Sequence, residues 1–314
     1  MAGSPMSPVT GRTHLAAAGA RAVTLRSLES TDRGDRITSA VFLSLLLLGI
    51  GIALLSLAAI LVWSLIEGAP RLDLNLLTNG PSTVRPAEAG FRTALLGSIM
   101  VVGGVIFLVV PIGVGAAVYL EEYASRERWW NRLIELNIQN LAGVPSIVFG
   151  ILGLAFIVRG PLSLGFVAAA GSLTLTLLVL PTVIIAAREA IRAVPPSIRE
   201  GAFALGATRW QTVRREVLPA ALPGVLTGVI LAIARATGEA APLLLVGAVT
   251  FTTVNPGLFE GAYSTLPVQI FNYSSRPQAD FRVLAVAGVI VMLGLVLAMN
   301  SVAVWLRNRF EQSW

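Results

Sequence analysis

Residues 188–224 read REAIRAVPPSIREGAFALGATRWQTVRREVLPAALPG, a polar, arginine-rich island between two long apolar segments. Its punctuation predicts a folded docking element in place of a slack linker. Proline lacks an amide donor and clashes with the preceding turn, so Pro195 and Pro196 stop the helix before them. A short helical pattern follows, with Ile198, Ala202 and Leu205 at i, i+4 and i+7 on one face. Gly201 and Gly206 keep that unit compact, and Gly206 can end it. Thr208 and Gln211 have capping-box spacing for a second helix, whose apolar stripe is Trp210, Val213 and Val217. Pro219 and Pro223 mark the start of the next apolar segment.

The composition around this island is that of a membrane protein. Of 314 residues, 55% are hydrophobic and only 13% charged, against about a quarter charged in soluble domains. Six stretches can cross a hydrocarbon core of about 30 Å, which takes about 20 helical residues. They are 37–66, 94–120, 141–158, 164–187, 221–249 and 283–306. The third is the shortest and contains Pro145, so a broken or tilted span is expected there. A polar tail, 1–36, precedes the first span, which is too long for a signal-peptide core. The tail has no sustained apolar period and is expected to be disordered.

All the basic residues are arginines, and they are unevenly placed. The tail, the segment after the second span, the 188–220 loop and the C-terminus carry most of them. Arg71, Arg85, Arg92, Arg159, Arg276 and Arg282 fall on the other side. The positive-inside rule then puts both termini and the 188–220 loop in the cytoplasm. Such a basic membrane protein reflects loop charge, not nucleic-acid binding. Trp129 and Trp130 read as interfacial aromatic-belt residues. The external loop 250–282, rich in aromatics and poor in charge, is either a partner-facing surface or a passive connector.

One charge pair interrupts the fifth span. Arginine at a helix centre costs about 2.5–3.5 kcal/mol on insertion scales, so Arg235 needs a partner and must face the bundle interior or water. Glu239 is four residues on, one turn further out on the same face, and Gly238 between them admits another backbone. The pair either ties helices together or handles an anion. A guanidinium fork matches tetrahedral oxyanions, and the acid would compensate it while the path is empty, since a conduction site must also release.

Several chemistries are missing. The chain has no cysteine, and its one histidine, His14, lies in the tail. No Gly-rich Lys-Ser/Thr phosphate cradle is present. The expectation is a transport protein without its own ATPase site and without cofactor or metal. A secondary transporter is the alternative from another class, but it would show several buried ionisable residues and repeats.

Glu200-Gly201-Ala202, then Gly206 and Leu218-Pro219, resembles the cytoplasmic "EAA" loop of ABC importer membrane subunits. Gly201 stands where alanine is usual, and Glu216 where isoleucine is usual. Four further stretches resemble the phosphate-specific importer permeases, nearer the PstA type than the PstC type. They are Phe91–Ser98, Asn137–Gly150, Arg235–Pro242 and Thr265–Ile270. The similarity runs from about residue 91 to 310. It implies an all-α polytopic membrane protein with the six-transmembrane-helix type I ABC importer permease fold. It implies phosphate as substrate, with molybdate or sulfate as the near alternatives. Glu200, Gly201, Ala202, Gly206, Leu218 and Pro219 would receive the ATPase, and Arg235 and Glu239 would line the path. The implied partners are a PstB-type ATP-binding subunit, a PstC-type second permease, a PstS-type extracytoplasmic phosphate-binding protein and membrane lipids.

Overall fold

The computed structural model describes residues 33–125, 127–248 and 251–310. Residues 1–32 of the expected tail lie outside them. The helices are α1 (Arg33–Gly68), α2 (Leu74–Thr78), α3 (Arg92–Val118), α4 (Trp129–Ala142), α5 (Ser146–Leu152) and α6 (Ala168–Arg192). They continue with α7 (Pro196–Ala204), α8 (Arg209–Thr212), α9 (Leu218–Gly238), α10 (Ala241–Leu245), α11 (Leu266–Ser274) and α12 (Ala279–Phe310). Wider π-turns follow α3 (Tyr119–Tyr123), α5 (Gly153–Val158) and α8 (Val213–Val217).

Five of these are long and apolar enough to cross a membrane, and a bent pair makes a sixth. That pair breaks beside Pro145 but starts at Trp129, ahead of the span expected over 141–158. It runs Trp129–Ala142 and Ser146–Val158, with a 109° bend between the two pieces. Gly143 caps the first piece, and Pro145, extended at φ −55 and ψ 138, opens the second. Proline excludes the helical conformation from the residue before it, so the helix cannot run through Val144. α4 is also the less apolar piece, with Asn131, Arg132, Glu135, Asn137 and Asn140 along it.

The chain divides into two compact units, Met1–Trp63 and Ser64–Trp314. The described part of the first is one apolar helix with its leucines exposed. In the second, α6 is the most buried span and packs between α3 and α9. Leu175, Val179, Val183 and Ile191 form its fully buried core stripe. Glycines set its two contacts. A Cβ on Gly113 of α3 would come 2.7 Å from the Val183 side chain, and one on Gly224 of α9 would come 2.8 Å from Ala190 Cβ. Small residues let helices close in where lipid gives no hydrophobic drive to associate. Ser172 Oγ lies 3.1 Å from the carbonyls of Val101 on α3 and Ala168 on its own helix.

A second cluster lies among α2, the start of α3, α11 and α12. Phe91 meets Tyr273 edge-on at 5.4 Å, and Tyr273 stacks on Phe281 at 5.5 Å. Leu266 N–H donates to Ser98 Oγ at 2.8 Å, and a Cβ on Gly97 would collide with the Ser264 carbonyl. The 67–93 segment, irregular by sequence, is pinned from both sides. Arg71 donates to the carbonyls of Pro86 and Ala89, and Arg276 donates to that of Thr83. Tyr263 joins the following segment to the core. Its hydroxyl donates to the Val246 carbonyl at 3.4 Å, and burial pushes it well above the usual phenol range, so it stays protonated.

Candidate functional site

The 188–224 island folds as a helical hairpin. Pro196 is the first residue of α7, where a missing N–H costs nothing. α7 ends in a Schellman turn: Gly206 N–H donates to Phe203 O at 2.9 Å and Ala207 N–H to Ala202 O at 3.0 Å. Gly206 sits at φ +81, in the left-handed region that favours glycine. Thr208 and Gln211 close the capping box. Gln211 N–H donates to Thr208 Oγ1 at 3.3 Å and Thr208 N–H to Gln211 Oε1 at 2.8 Å.

Both apolar stripes expected by sequence are split between two faces. Ile198 packs on the core, and Val213 and Val217 are fully buried in it. Leu205 is 90% exposed and Trp210 57%, with Phe203 at 48% beside them. α7 stops at Ala204, so Leu205 rides on the cap, and Trp210 lies in the first turn of α8, at the tip of the hairpin. The tip therefore presents an apolar patch away from the bundle. Glu200, Gly201 and Gly206 are exposed, Ala202 is half-buried, and Leu218 and Pro219 are half-buried. Leu218 and Pro219 line an apolar groove with Val110, Pro111, Val114 and Leu222.

A further difference concerns the boundary at 220/221. The second arm of the hairpin does not stop there. α8, the π-turn and α9 form one continuous span, Arg209–Gly238. Proline in the first turn breaks no hydrogen bond that an upstream π-turn has not already displaced. Glu216, on that π-turn, is exposed.

Arg235 and Glu239 are brought together, in a setting other than mid-helix. α9 ends at Gly238, short of the expected 249, so Arg235 is in its last turn and Glu239 is the cap, extended at φ −79 and ψ 121. Arg235 Nε lies 3.7 Å from Glu239 Oε1, with side chains 47% and 19% exposed. A cation suits this position because the helix C-terminus carries partial negative charge. Among the described residues the Arg235 Nη atoms have no hydrogen-bond partner, leaving an open guanidinium edge. Among the described residues no backbone approaches Gly238, where a Cβ would meet only Met292 Cε at 3.7 Å.

An ionic cluster at the ends of α3 and α6 escaped sequence reading. Arg188 reaches Glu121 at 3.5 Å and Glu135 at 3.0 Å, and Arg192 reaches Glu121 at 3.0 Å. Two adjacent acids, Glu121 and Glu122, directly after the second apolar span were the available signal. Glu122 is buried and pairs with Arg199 of α7 at 2.7 Å.

A family model described as the binding-protein-dependent transport system inner membrane component matches residues 109–312. The probable ABC transporter permease protein YqgI of Bacillus subtilis is 34% identical over 273 residues, 82% of this chain and 92% of that protein. The phosphate transport system permease protein PstA of Haemophilus influenzae is 35% identical over 261 residues, covering 83% and 90%. Among solved structures, a bacterial alginate ABC transporter superposes with a TM-score of 0.62 at 14% identity, covering 86% of this chain and 94% of that one. The MetNI methionine ABC transporter in inward-facing form gives 0.56 at 19%, covering 70% and 95%. At those identities the likeness is one of fold, the type I ABC importer permease fold.

Proposed function

The chain belongs to the family of binding-protein-dependent transport system inner membrane components, and we propose that it is the permease subunit of an ATP-driven phosphate importer. The observation that carries this reading is its resemblance, over most of its length, to permeases named for phosphate transport. Family membership sets aside the secondary transporter. The hairpin 188–220, with the apolar tip of Phe203, Leu205 and Trp210, is the docking element for a separate ATP-binding subunit of the PstB type. Glu200, Gly201, Ala202 and Gly206 shape that tip, and Leu218 and Pro219 join it to the span. The arginine-rich side, both termini included, faces the cytoplasm. A PstC-type permease completes the path, and a PstS-type phosphate-binding protein delivers substrate from outside.

The open guanidinium edge of Arg235 supports a role in the path. It offers directed donors to a tetrahedral anion, while Glu239, at 3.7 Å, compensates the charge without a tight bond. A path needs such a balance, since a site that binds too firmly does not release.

Cells lacking this chain, with and without its gene restored, test the reading by uptake of radiolabelled phosphate and sulfate. Restored phosphate uptake, with an ATP-hydrolysing subunit co-purifying, is expected. Restoration of sulfate or molybdate uptake alone would replace phosphate by that oxyanion. Uptake by the chain alone, without an ATPase, would overturn the coupling.

A further inference from the structure

We propose that Arg199 and Glu122 form a closed clamp through which the docking hairpin moves as one body with α3 and α6, making Arg199 the positioning residue for coupling. The inference rests on the hairpin being an ATPase docking element, and concerns how motion leaves it.

Arg199 lies in α7, and its guanidinium binds the ends of two other elements at once. Nε and Nη2 donate to Glu122 Oε1 at 3.0 and 2.7 Å. Nη2 also donates to Ile191 O at 2.9 Å, and Nη1 to Val194 O at 2.7 Å. Glu122 belongs to the π-turn that ends α3. Ile191 is in the last turn of α6 and Val194 lies just past its cap, where the partial negative charge of the helix end draws a cation. One side chain therefore ties α7 to both spans on which the bundle packs. The clamp is sheltered: the Glu122 side chain is 9% exposed and that of Arg199 21%. Exposed ion pairs contribute little and exchange with water. A sheltered, branched one holds its geometry.

The two acids of the π-turn divide the work. Glu121 engages Arg188 and Arg192 on the shaft of α6, and its neighbour engages the hairpin. Consecutive residues on a helix point about 100° apart, so one turn can reach both. The hairpin's other arm needs no clamp, because it continues as α9 up to Arg235. Motion at the tip thus has two exits: directly along α8–α9, and through Arg199 into α3 and α6. Lysine cannot replace this fork, having one ammonium for a carboxylate and two carbonyls in different directions.

Arg199 is not on the docking tip, which separates its role from docking itself. The test uses the whole complex, purified through a tag on this chain and reconstituted with its binding protein. In Arg199→Gln and Glu122→Gln the ATPase should still co-purify, and basal ATP hydrolysis should persist. Stimulation of hydrolysis by phosphate-loaded binding protein, and phosphate uptake, should fall about tenfold, within the usual range of coupling between sites. Arg199→Lys should fall between these and wild type. A clamp that served only stability would lower the yield of complex while the surviving complex kept full stimulation, and that result would overturn the proposal. So would loss of ATPase co-purification in both glutamine variants. The chain has no cysteine, so the Glu122→Cys/Arg199→Cys pair can be bridged by a short bis-thiosulfonate reagent, each cysteine thiolate displacing one sulfinate to form a mixed disulfide. Bridging should restore stimulation if the clamp stays closed through the cycle. Bridged complex that hydrolyses ATP but never responds would show that the clamp must open, and would refute the rigid link. Wild-type complex that responds to sulfate-loaded and not phosphate-loaded binding protein would fail the phosphate reading alone. The clamp would then be scored with sulfate.

Discussion

Replacing Gly206 with alanine places a Cβ on a residue held at φ +81. No atom lies within 4 Å of that Cβ, so steric crowding contributes nothing within this chain. What remains is the backbone penalty of an L-residue in the left-handed region, about 1–2 kcal/mol. That is a factor of about 5–30 in the population of the closed turn. The turn holds two hydrogen bonds, Gly206 N–H to Phe203 O and Ala207 N–H to Ala202 O. It also aims Leu205 and Trp210. Uptake should fall while membrane abundance stays normal, because the turn is exposed and lies ahead of the span that begins at Arg209. The ranking of variants is the sharper test. Asparagine tolerates the left-handed region and should be mildest, alanine and leucine should be alike, and valine, β-branched, should be worst. Phosphate uptake, immunoblotted abundance and ATPase co-purification read the series. Normal uptake by Gly206→Leu at normal abundance would sink the docking role. A series ordered by size, with leucine far below alanine, would refute the backbone argument and place a packed partner against Gly206.

Three further perturbations follow from the same structure. Arg235→Lys keeps the charge near Glu239 but loses the fork, so uptake should drop strongly in a normally assembled complex. If the double change Arg235→Gln with Glu239→Gln restores uptake relative to either single change, the anion role is wrong and the pair is structural. Thr208→Ala removes one half of the capping box and should cost about 1 kcal/mol, read as easier proteolysis within the hairpin, with Thr208→Ser close to wild type. Gly97→Leu drives a side chain into the Ser264 carbonyl, where overpacking costs about 1–3 kcal/mol or more. Its abundance should fall, whereas Gly201→Leu, with open space around its Cβ, should accumulate normally.

The parts of the fold that were legible in sequence are those fixed by neighbours along the chain. The capping box needs only Thr208 and Gln211, and the Schellman turn only residues 202–207, so both could be read before any packing was known. Hydropathy located the long apolar helices for the same reason, since a helix satisfies its own backbone in lipid. The stripes Ile198–Leu205 and Trp210–Val217 were legible as apolar positions, but periodicity shows that a face exists and not where burial stops along it. The 109° bend was legible only as Pro145. Its angle depends on what α4 and α5 pack against.

Sequence alone determined a multi-pass α-helical membrane protein with a folded polar hairpin, because apolar length, arginine placement and local capping are properties of short segments. Tertiary structure decided the rest. It ended α9 at Gly238 and left Arg235 at a half-open helix end. It carried α8 through a π-turn into the span. It set Glu122 against Arg199, 77 residues apart, because a contact between a turn and a hairpin that distant in sequence exists only once α3 and α6 have packed and brought their ends together.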